Sequence, residues 1–202
     1  MARKIILVRH AIAEGARKGS FVGRTDLPLC AQGEEQVRRV LPLLKAAKPQ
    51  VCYCSPLLRT RQTTEIINKT LRLPVHTDEE LCEIDFGRWE CKTFEEVAAS
   101  DARAVKQWAE YDHRFAFPGG ESLGGFLARI RRVARRLAGD PADTVLAVTH
   151  GGVIRTMICH FLGLRPRNYV LFDVANASCT IIDVFDGKGV LAGLNLVGQE
   201  GQ

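Results

Sequence analysis

Residues 4–11 read KIILVRHA, in which a short apolar run, Ile5 to Val8, leads directly into Arg9 and His10. An apolar run of this length without polar alternation is typical of a strand that is buried on both faces, as in a parallel sheet. The two basic side chains would then lie at the end of a central strand, where core packing does not explain the presence of charged side chains. This stretch predicts both a sheet element and a site at the edge of the sheet.

Two more apolar runs, VCYC at residues 51–54 and TVLAV at residues 144–148, are each followed within a few residues by a helical pattern. This alternation predicts an α/β fold, a three-layer αβα sandwich around a mostly parallel central sheet. We expect one helix over residues 32–46, a second over residues 55–71, and a third that begins at residue 151.

Local signals indicate where these helices begin and end. Pro42 should kink the first helix or end it early, because proline lacks the N–H that an interior turn needs. Ser55 and Pro56 are typical of an N-cap and first-turn pair and would open the second helix. Gly163 would close the third helix.

The remaining segments complete the domain. The tail from residue 178 to 197 has two strand-like runs around DGKG at residues 186–189, which predicts a hairpin and adds an antiparallel strand to the sheet. No repeat or linker divides the chain, so we expect a single domain over residues 1–202. Residues 77–121 are richer in acids and aromatics, and we expect them to form a lid-like insertion over one end of the sheet.

Composition restricts the class of protein. With 202 residues, 46% hydrophobic and 25% charged, the chain can form one sizeable core. The apolar run near its start is too short for a signal peptide or a membrane span, so we expect a cytoplasmic protein without a membrane partner. The seven cysteines are odd in number and lack the spacing of zinc ligands, which predicts buried free thiols and no metal.

The charge of +5 predicts an anionic partner. The most basic run, RIRRVARR at residues 129–136, lies on a pattern whose apolar side chains share one helical face. Its arginines mostly take the other face, so we interpret them as a solvated helix surface rather than a nucleic-acid contact. The expected partner is a small molecule and not a nucleic acid, and the sequence leaves a homodimer open.

Basic side chains follow three strands at one edge of the predicted sheet. Arg9 and His10 follow the first strand, Arg59 lies in the first turn after the second, and His150 follows the third. In open α/β sheets, ligands bind outside the carboxyl ends of the strands, where the N-termini of helices add free N–H donors. A guanidinium group can donate hydrogen bonds to two phosphate oxygens at once. The arginines at this edge of the sheet therefore predict a phosphate site.

The two histidines could take part in a reaction of the bound phosphate group. A neutral imidazole is a competent nucleophile near neutral pH, so one histidine could carry a phosphoryl group covalently. The second histidine and the arginines would stabilise charge on the transferring group. The leaving alkoxide still needs a proton, for which a nearby carboxylic acid is the usual donor.

The segments that carry these residues also share a family pattern. Along the chain the motifs occur in the order VRHA, GRTDLPLCAQGEEQ at residues 23–36, SPLLRTRQT, LCEIDFGRWE, FPGGES, and the overlapping VTHGG and HGGVIR. In this order and spacing the sequence resembles the histidine phosphatase superfamily, which has the phosphoglycerate-mutase-like fold. The match extends over most of the chain.

The resemblance implies roles for seven residues and needs no metal or cofactor. Catalytic roles fall to His10, Glu83 and His150, phosphate binding to Arg9, Arg59 and Gly151, and substrate binding to Gly23. Because Arg24 lies beside Gly23, we also expect it to contact the outer part of the substrate. His10 would be the transient phosphohistidine and Glu83 the proton donor, although neighbouring carboxyl groups could also supply a proton. These neighbours are Glu79, Glu80, Asp85, Glu90 and Glu121.

The sequence departs from the family pattern at three positions. Ala11 replaces a glycine, which is tolerable if its φ is negative. Ala13 replaces a threonine that relatives often use beside the phosphate, so one hydrogen bond to the substrate is lost. Cys91 replaces a glycine after Trp89 and Glu90.

We expect a phosphomonoesterase that hydrolyses a small phosphorylated metabolite, either α-ribazole phosphate, a sugar phosphate or several esters. The alternative within the enzymes is a phosphoglycerate mutase that uses the same pocket. A different class of function is a non-catalytic module that binds a phosphorylated partner. Four aromatic residues could shape the mouth of the pocket or belong to the core, namely Trp89, Trp108, Phe115 and Phe117, and for Trp108 we expect the core.

Overall fold

The computed structural model describes residues 1–186 and 188–198, which form one mixed six-stranded sheet between two layers of helices. The strands are β1 (Lys4–Arg9), β2 (Val51–Cys54), β3 (Val75–Thr77), β4 (Thr144–Thr149), β5 (Cys179–Phe185) and β6 (Lys188–Leu196). Their order across the sheet is β3-β2-β4-β1-β5-β6. The predicted αβα sandwich with a mostly parallel sheet is confirmed.

The central strands β1 and β4 are parallel to each other and to β2 and β3, whereas β5 pairs with β1 in the antiparallel sense. The predicted terminal hairpin is confirmed by the antiparallel pairing of β5 with β6, and Gly187 of its turn lies outside the described residues. Strand β3 (Val75–Thr77) has no counterpart among the predicted strands. It contributes only three residues, all exposed, at the edge of the sheet, which is too short for a sequence signal.

The helices are α1 (Ala31–Ala47), α2 (Leu58–Leu71), α3 (Phe94–Ser100), α4 (Ala102–Ala109), α5 (Leu123–Ala138) and α6 (Gly151–Phe161). Three short 3-10 helices lie at Glu79–Leu81, Gly87–Trp89 and Pro166–Leu171. Alternate side chains of each central strand face opposite layers, as the strand period requires. Ile6 and Val8 pack with α1 and α2, while Ile5 and Leu7 pack with α5 and α6.

Two helix ends differ from the expectation. Helix α1 does not end early at Pro42 but continues to Ala47, because Pro42 is exposed and water can reach the carbonyl group that has lost its N–H partner. Helix α2 begins at Leu58 rather than at Ser55, and the carboxylate of Asp26 accepts the Leu58 N–H at 2.6 Å. The predicted stop of α6 at Gly163 is confirmed, since φ there is +65°.

All seven cysteines lie within the described residues and are free thiols, five of them buried. Cys30 is half-buried and Cys91 is exposed. None of the helices in the part of the chain that the structure describes has the length and apolar character needed to cross a membrane.

Candidate active site

The pairing of β1 with β4 brings the two site histidines together. Arg9 lies opposite Thr149 in the ladder, so His10 and His150 are the residues that directly follow two paired strand ends. The His10 N–H donates to the Thr149 carbonyl at 2.9 Å, and the two imidazole rings are 5.1 Å apart between centroids. The predicted convergence at the carboxyl edge of the sheet is therefore confirmed for both histidines.

The two nitrogens of the His10 ring have different partners. Nδ1 lies 2.7 Å from the Ala11 carbonyl oxygen, which can only accept, so Nδ1 carries the proton. Nε2 then has a free lone pair and accepts the Nε–H of Arg59 at 3.2 Å. Burial, and then the charges of Arg59 and Arg9, hold the pKa of His10 well below its usual value. His10 is therefore a neutral imidazole whose Nε2 is unprotonated.

His150 is fully buried behind His10. Its Nε2 lies 2.8 Å from the Ser55 hydroxyl oxygen, and within the described residues its buried Nδ1 has no hydrogen-bond partner. Burial, and then His10 and the two arginines, lower its pKa well below the usual range. Ser55, which we expected to cap α2, instead orients this ring.

Arg59 is fully buried and is held by backbone carbonyl groups. Its terminal nitrogens donate to the carbonyl oxygens of Thr25 at 2.8 Å and Gly23 at 2.7 Å, while its Nε points at His10. Burial lowers the pKa of this guanidinium group and of Arg9. A bound anion would offset that cost.

The predicted substrate contacts at Gly23 and Arg24 are not supported by this arrangement. The N–H groups of Gly23, Arg24 and Thr25 all donate to the carboxylate of Glu90, at 2.9–3.2 Å. The Gly23 N–H is therefore occupied, and neither Gly23 nor Arg24 is among the described residues that line the cavity. Glu90 organises the loop whose carbonyl groups hold Arg59.

Arg9 lies against the start of α6. One terminal nitrogen donates to the Val174 carbonyl at 2.5 Å, whereas its buried Nε has no partner among residues 1–186 and 188–198. A Cβ at Gly151 would lie 3.3 Å from the guanidinium carbon, so the glycine lets Arg9 approach the helix closely. Arg9 and the first N–H groups of α6 thus face the same space beside His10.

Glu83 reaches that space from the segment before α3. Its carboxylate accepts the Gly152 N–H at 2.8 Å and the Ile84 N–H at 3.0 Å, and it is almost fully buried. A Cβ at Gly152 would lie 2.5 Å from one carboxylate oxygen, so the glycine is needed for this contact. Of the carboxyl groups considered from the sequence, only Glu83 lines the cavity in the described structure.

The first arginine in the run at residues 129–136 does not lie on the solvated helix face that the sequence predicts. Arg129 is buried, and it donates to the carbonyl oxygens of Cys82 at 2.6 Å and Glu83 at 3.0 Å. It also forms a two-pronged pair with Glu121, at 2.7 and 2.9 Å. Sequence reasoning missed this role because the partners are carbonyl groups more than forty positions away.

A cavity of about 540 Å³ opens beside these groups. Its lining includes Arg9, His10, Glu83 and Gly151, but not Arg59 or His150. Aromatic rings also line it, including Trp108, which the sequence analysis places in the core; Trp89 and Phe115 are buried and do not line the cavity. No group of three or more potential metal ligands occurs among the described residues.

The departures from the family pattern differ in their effect. Ala11 does not have a positive φ, so alanine fits there. Ala13 lines the cavity without a hydroxyl group to offer. Cys91 has a φ of +62°, the left-handed conformation that favours glycine.

Comparison with known proteins gives relatives over the whole length. The chain is 31% identical over 194 residues to phosphoserine phosphatase 1 of Hydrogenobacter thermophilus, covering 96% of this chain and 92% of that protein. It is 30% identical over 194 residues to the adenosylcobalamin/alpha-ribazole phosphatase of Salmonella typhimurium, covering 95% and 96%. A crystal structure described as that of a "putative alpha-ribazole-5'-P phosphatase" from Escherichia coli has a TM-score of 0.89 at 26% identity, with both chains covered completely.

The model of the histidine phosphatase superfamily (branch 1) matches residues 5–197. The strand-end histidines, the buried arginines and this match agree with the resemblance seen in the motifs, and the chain belongs to the histidine phosphatase superfamily.

Proposed function

We propose that this protein is a phosphomonoesterase that passes the phosphoryl group of a small phosphorylated metabolite to His10 and then to water. The observation that carries the proposal is the state of the His10 ring: Nδ1 is committed to the Ala11 carbonyl, and the unprotonated Nε2 lies beside Arg59 at one end of the cavity. A ring fixed and kept neutral in this way is suited to nucleophilic attack.

In the first step, the Nε2 lone pair of His10 attacks phosphorus, and the bond between phosphorus and the ester oxygen breaks. Arg9 and the Gly151 N–H would neutralise the equatorial oxygens, because the Gly152 N–H already donates to Glu83, and Arg59 beside His10 and the buried His150 would add to this stabilisation. The protonated carboxyl group of Glu83 gives its proton to the leaving oxygen, so the alcohol departs neutral.

In the second step, water attacks phosphorus and the bond between phosphorus and Nε2 breaks. The Glu83 carboxylate takes the proton from the water, which restores the acid for the next turnover. Inorganic phosphate leaves, and His10 returns to its neutral form. Exposed residues such as Lys18 lie at the mouth of the cavity, which supports entry of water.

The names of the relatives supply the first substrates to test, namely α-ribazole phosphate and phosphoserine. We propose to measure phosphate release from these two esters, from sugar phosphates and from 3-phosphoglycerate, with the natural protein and with His10→Ala. His76→Ala is the matched control, because His76 is exposed on the edge strand β3.

We expect turnover of at least one ester, a loss of at least about a thousandfold in His10→Ala, and no change in His76→Ala. Turnover that survives in His10→Ala would contradict the proposed nucleophile. Isomerisation of 3-phosphoglycerate faster than phosphate release would favour the mutase, and phosphate binding without any turnover would favour the binding module.

A further inference from the structure

We propose that the alcohol released by this enzyme carries an aromatic or heteroaromatic ring, which binds in the apolar half of the cavity. The inference rests on the proposed phosphomonoesterase activity and specifies its substrate class. The ring would contact a surface that we call the aromatic wall, formed by Phe21, Phe86, Trp108, Tyr111 and Phe117.

The aromatic wall is a prebuilt apolar surface. Phe117 is almost fully buried, while the other four rings are half-buried and line the cavity. Trp89, which is buried, supports them from behind, with ring centroids 5.5 Å from Phe21 and 5.3 Å from Phe117. Because these rings are already in place, a ligand would meet little ordering cost on binding them.

Charged and aromatic lining residues belong to separate groups of contacts. Arg9 and Glu83 contact the first residues of α6, the helix that also carries Arg155. Phe21, Phe86, Trp108 and Phe117 contact one another instead, and so form an apolar part of the lining. A leaving group with its own carboxylate and ammonium groups would lose water there and find no partner for them.

The geometry of the wall suits a ring better than a linear chain. Neighbouring rings meet at an angle: Phe21 and Phe86 are 5.0 Å apart at 60°, and Phe86 and Phe117 are 5.0 Å apart at 89°. Rings set in this way present both edges and faces, which are the contacts that a further aromatic ring prefers. A cavity of about 540 Å³ is also within the range of small-molecule sites and exceeds what a phosphoryl group alone would occupy.

Arg155 provides the main rival interpretation. Its buried Nε has no partner in the part of the chain that the structure describes, and a terminal nitrogen lies 3.9 Å from the exposed Asp173. An acidic leaving group such as that of phosphoserine could bind there instead. The experiment must therefore distinguish a preference for a ring in the leaving alcohol from a preference for a charge in it.

The test compares 3-phenylpropyl phosphate with propyl phosphate, whose leaving alcohols have similar reactivity, and with phosphoserine. We expect kcat/KM for the phenylpropyl ester to exceed that for each of the others by about 10- to 100-fold, which is what burial of one ring gives. Preference for phosphoserine that is lost in Arg155→Gln would overturn the inference.

Two variants test whether the aromatic wall causes the preference for the phenylpropyl ester. Trp108→Ala should reduce the ratio of phenylpropyl to propyl turnover by at least fivefold, and Tyr111→Ala should act in the same direction if Trp108→Ala does not fold. Phe185→Ala removes an exposed ring outside this cavity and should leave the ratio unchanged. An unchanged ratio in both wall variants would contradict the inference.

The experiments distinguish a failure of the proposed phosphomonoesterase activity from a failure of the proposed substrate class. Turnover that depends on His10 but shows no preference for the ring overturns only the inference about the substrate. Binding of the non-hydrolysable 3-phenylpropylphosphonate and propylphosphonate, measured by calorimetry, gives a readout that needs no turnover. Equal affinity for the two phosphonates would overturn the inference even if the activity is confirmed.

Discussion

At the scale of single residues, the site depends on which polar groups already have a hydrogen-bond partner in the protein and which do not. The Ala11 carbonyl occupies Nδ1 of His10, and Arg59 is held by two carbonyl groups of the loop before α1. Arg9 Nε and His150 Nδ1, in contrast, are buried without a partner among the described residues. Since buried polar groups are nearly always paired, we propose that Arg9, which lines the cavity, binds a substrate oxygen there.

Glu83→Gln tests the proton donor. The N–H groups of Gly152 and Ile84 donate to different oxygens of Glu83, so the glutamine oxygen can accept only one of them, and the side chain can no longer deliver a proton. We expect kcat for propyl phosphate to fall by about 10²- to 10⁴-fold. For p-nitrophenyl phosphate, whose leaving group needs no proton, we expect a much smaller loss in the same phosphate-release assay. An equal loss on both esters would show that Glu83 is not the donor.

The core of this site could be predicted from the sequence, and its outer part could not. Arg9 is the last residue of β1, and His10 and His150 directly follow β1 and β4, positions that the sequence pattern determines. The sequence could not show that the Gly23 N–H donates to Glu90, 67 positions away. The aromatic wall was missed because Phe21 and Trp108 belong to distant segments that meet only in the folded chain.

At the scale of elements, helix α5 supports the segment that carries Glu83. Arg129 binds the carbonyl groups of Cys82 and Glu83 and pairs with Glu121, whose backbone N–H in turn donates to the Asp85 carbonyl at 2.9 Å. Arg129 does not line the cavity. It is a positioning residue for Glu83.

Arg129→Met should therefore weaken proton delivery. We expect kcat for propyl phosphate to fall by about 10- to 100-fold and kcat for p-nitrophenyl phosphate to fall far less, with partial recovery in Arg129→Lys. Arg132→Met is the matched control, because Arg132 lies on the same helix but pairs with Glu80 at the surface. A general loss of folding would affect both esters alike, and that result would contradict a positioning role.

Cys91 offers a test of backbone strain. Its left-handed conformation costs about 1–2 kcal/mol for a residue with a Cβ, and only part of this is offset by the greater chain entropy of glycine. We expect Cys91→Gly to raise the free energy of unfolding by about 0.5–1 kcal/mol in urea titrations. Cys91→Ala keeps the Cβ and should give no gain, so equal stabilisation by both variants would contradict the argument.

Helix and strand existence could be predicted here more reliably than helix ends. The apolar periodicity that predicts α1 and α2 depends on many residues at once. Their ends depend on single contacts, such as the Asp26 carboxylate at the start of α2 and the solvent exposure of Pro42. Strand β3 has only three exposed residues and so leaves no pattern.

At the scale of the whole molecule, the site makes stability depend on pH. His10 and His150 are buried and their pKa values are lowered well below 6.5, chiefly by burial. In the unfolded chain both titrate near 6.5, so below that pH the unfolded state binds more protons than the folded state. Stability is therefore complete above pH 6.5 and is lost as the pH falls below it. His160, whose pKa is also lowered by burial, acts in the same direction.

We expect the free energy of unfolding to be constant from pH 8 to 7 and then to fall by up to about 1.4 kcal/mol per pH unit for each of the two site histidines. Urea titrations at pH 7.5, 6.5 and 5.5 measure this dependence. His10→Ala should show a smaller slope below pH 6.5. A free energy of unfolding that stays flat down to pH 5.5 would contradict the buried neutral state of both rings.

The αβα architecture was predictable as a whole because consecutive apolar runs alternate with helical patterns. The same alternation places strand ends together and so predicts a site without any knowledge of side-chain contacts. The cavity above that site is different. Its walls come from loops before α1, from α4 and from the segment before α5, and no single stretch of sequence encodes their meeting.

The most direct test of the central claim is to trap the phosphoryl group on the protein. A substrate labelled with ³²P is mixed with the natural protein, the reaction is quenched within milliseconds in alkali, and labelled peptides are identified by mass spectrometry. We predict an alkali-stable, acid-labile phosphoryl group on His10, which is absent in His10→Ala. Rapid turnover without any labelled protein, or a label on a residue other than His10, would contradict the account.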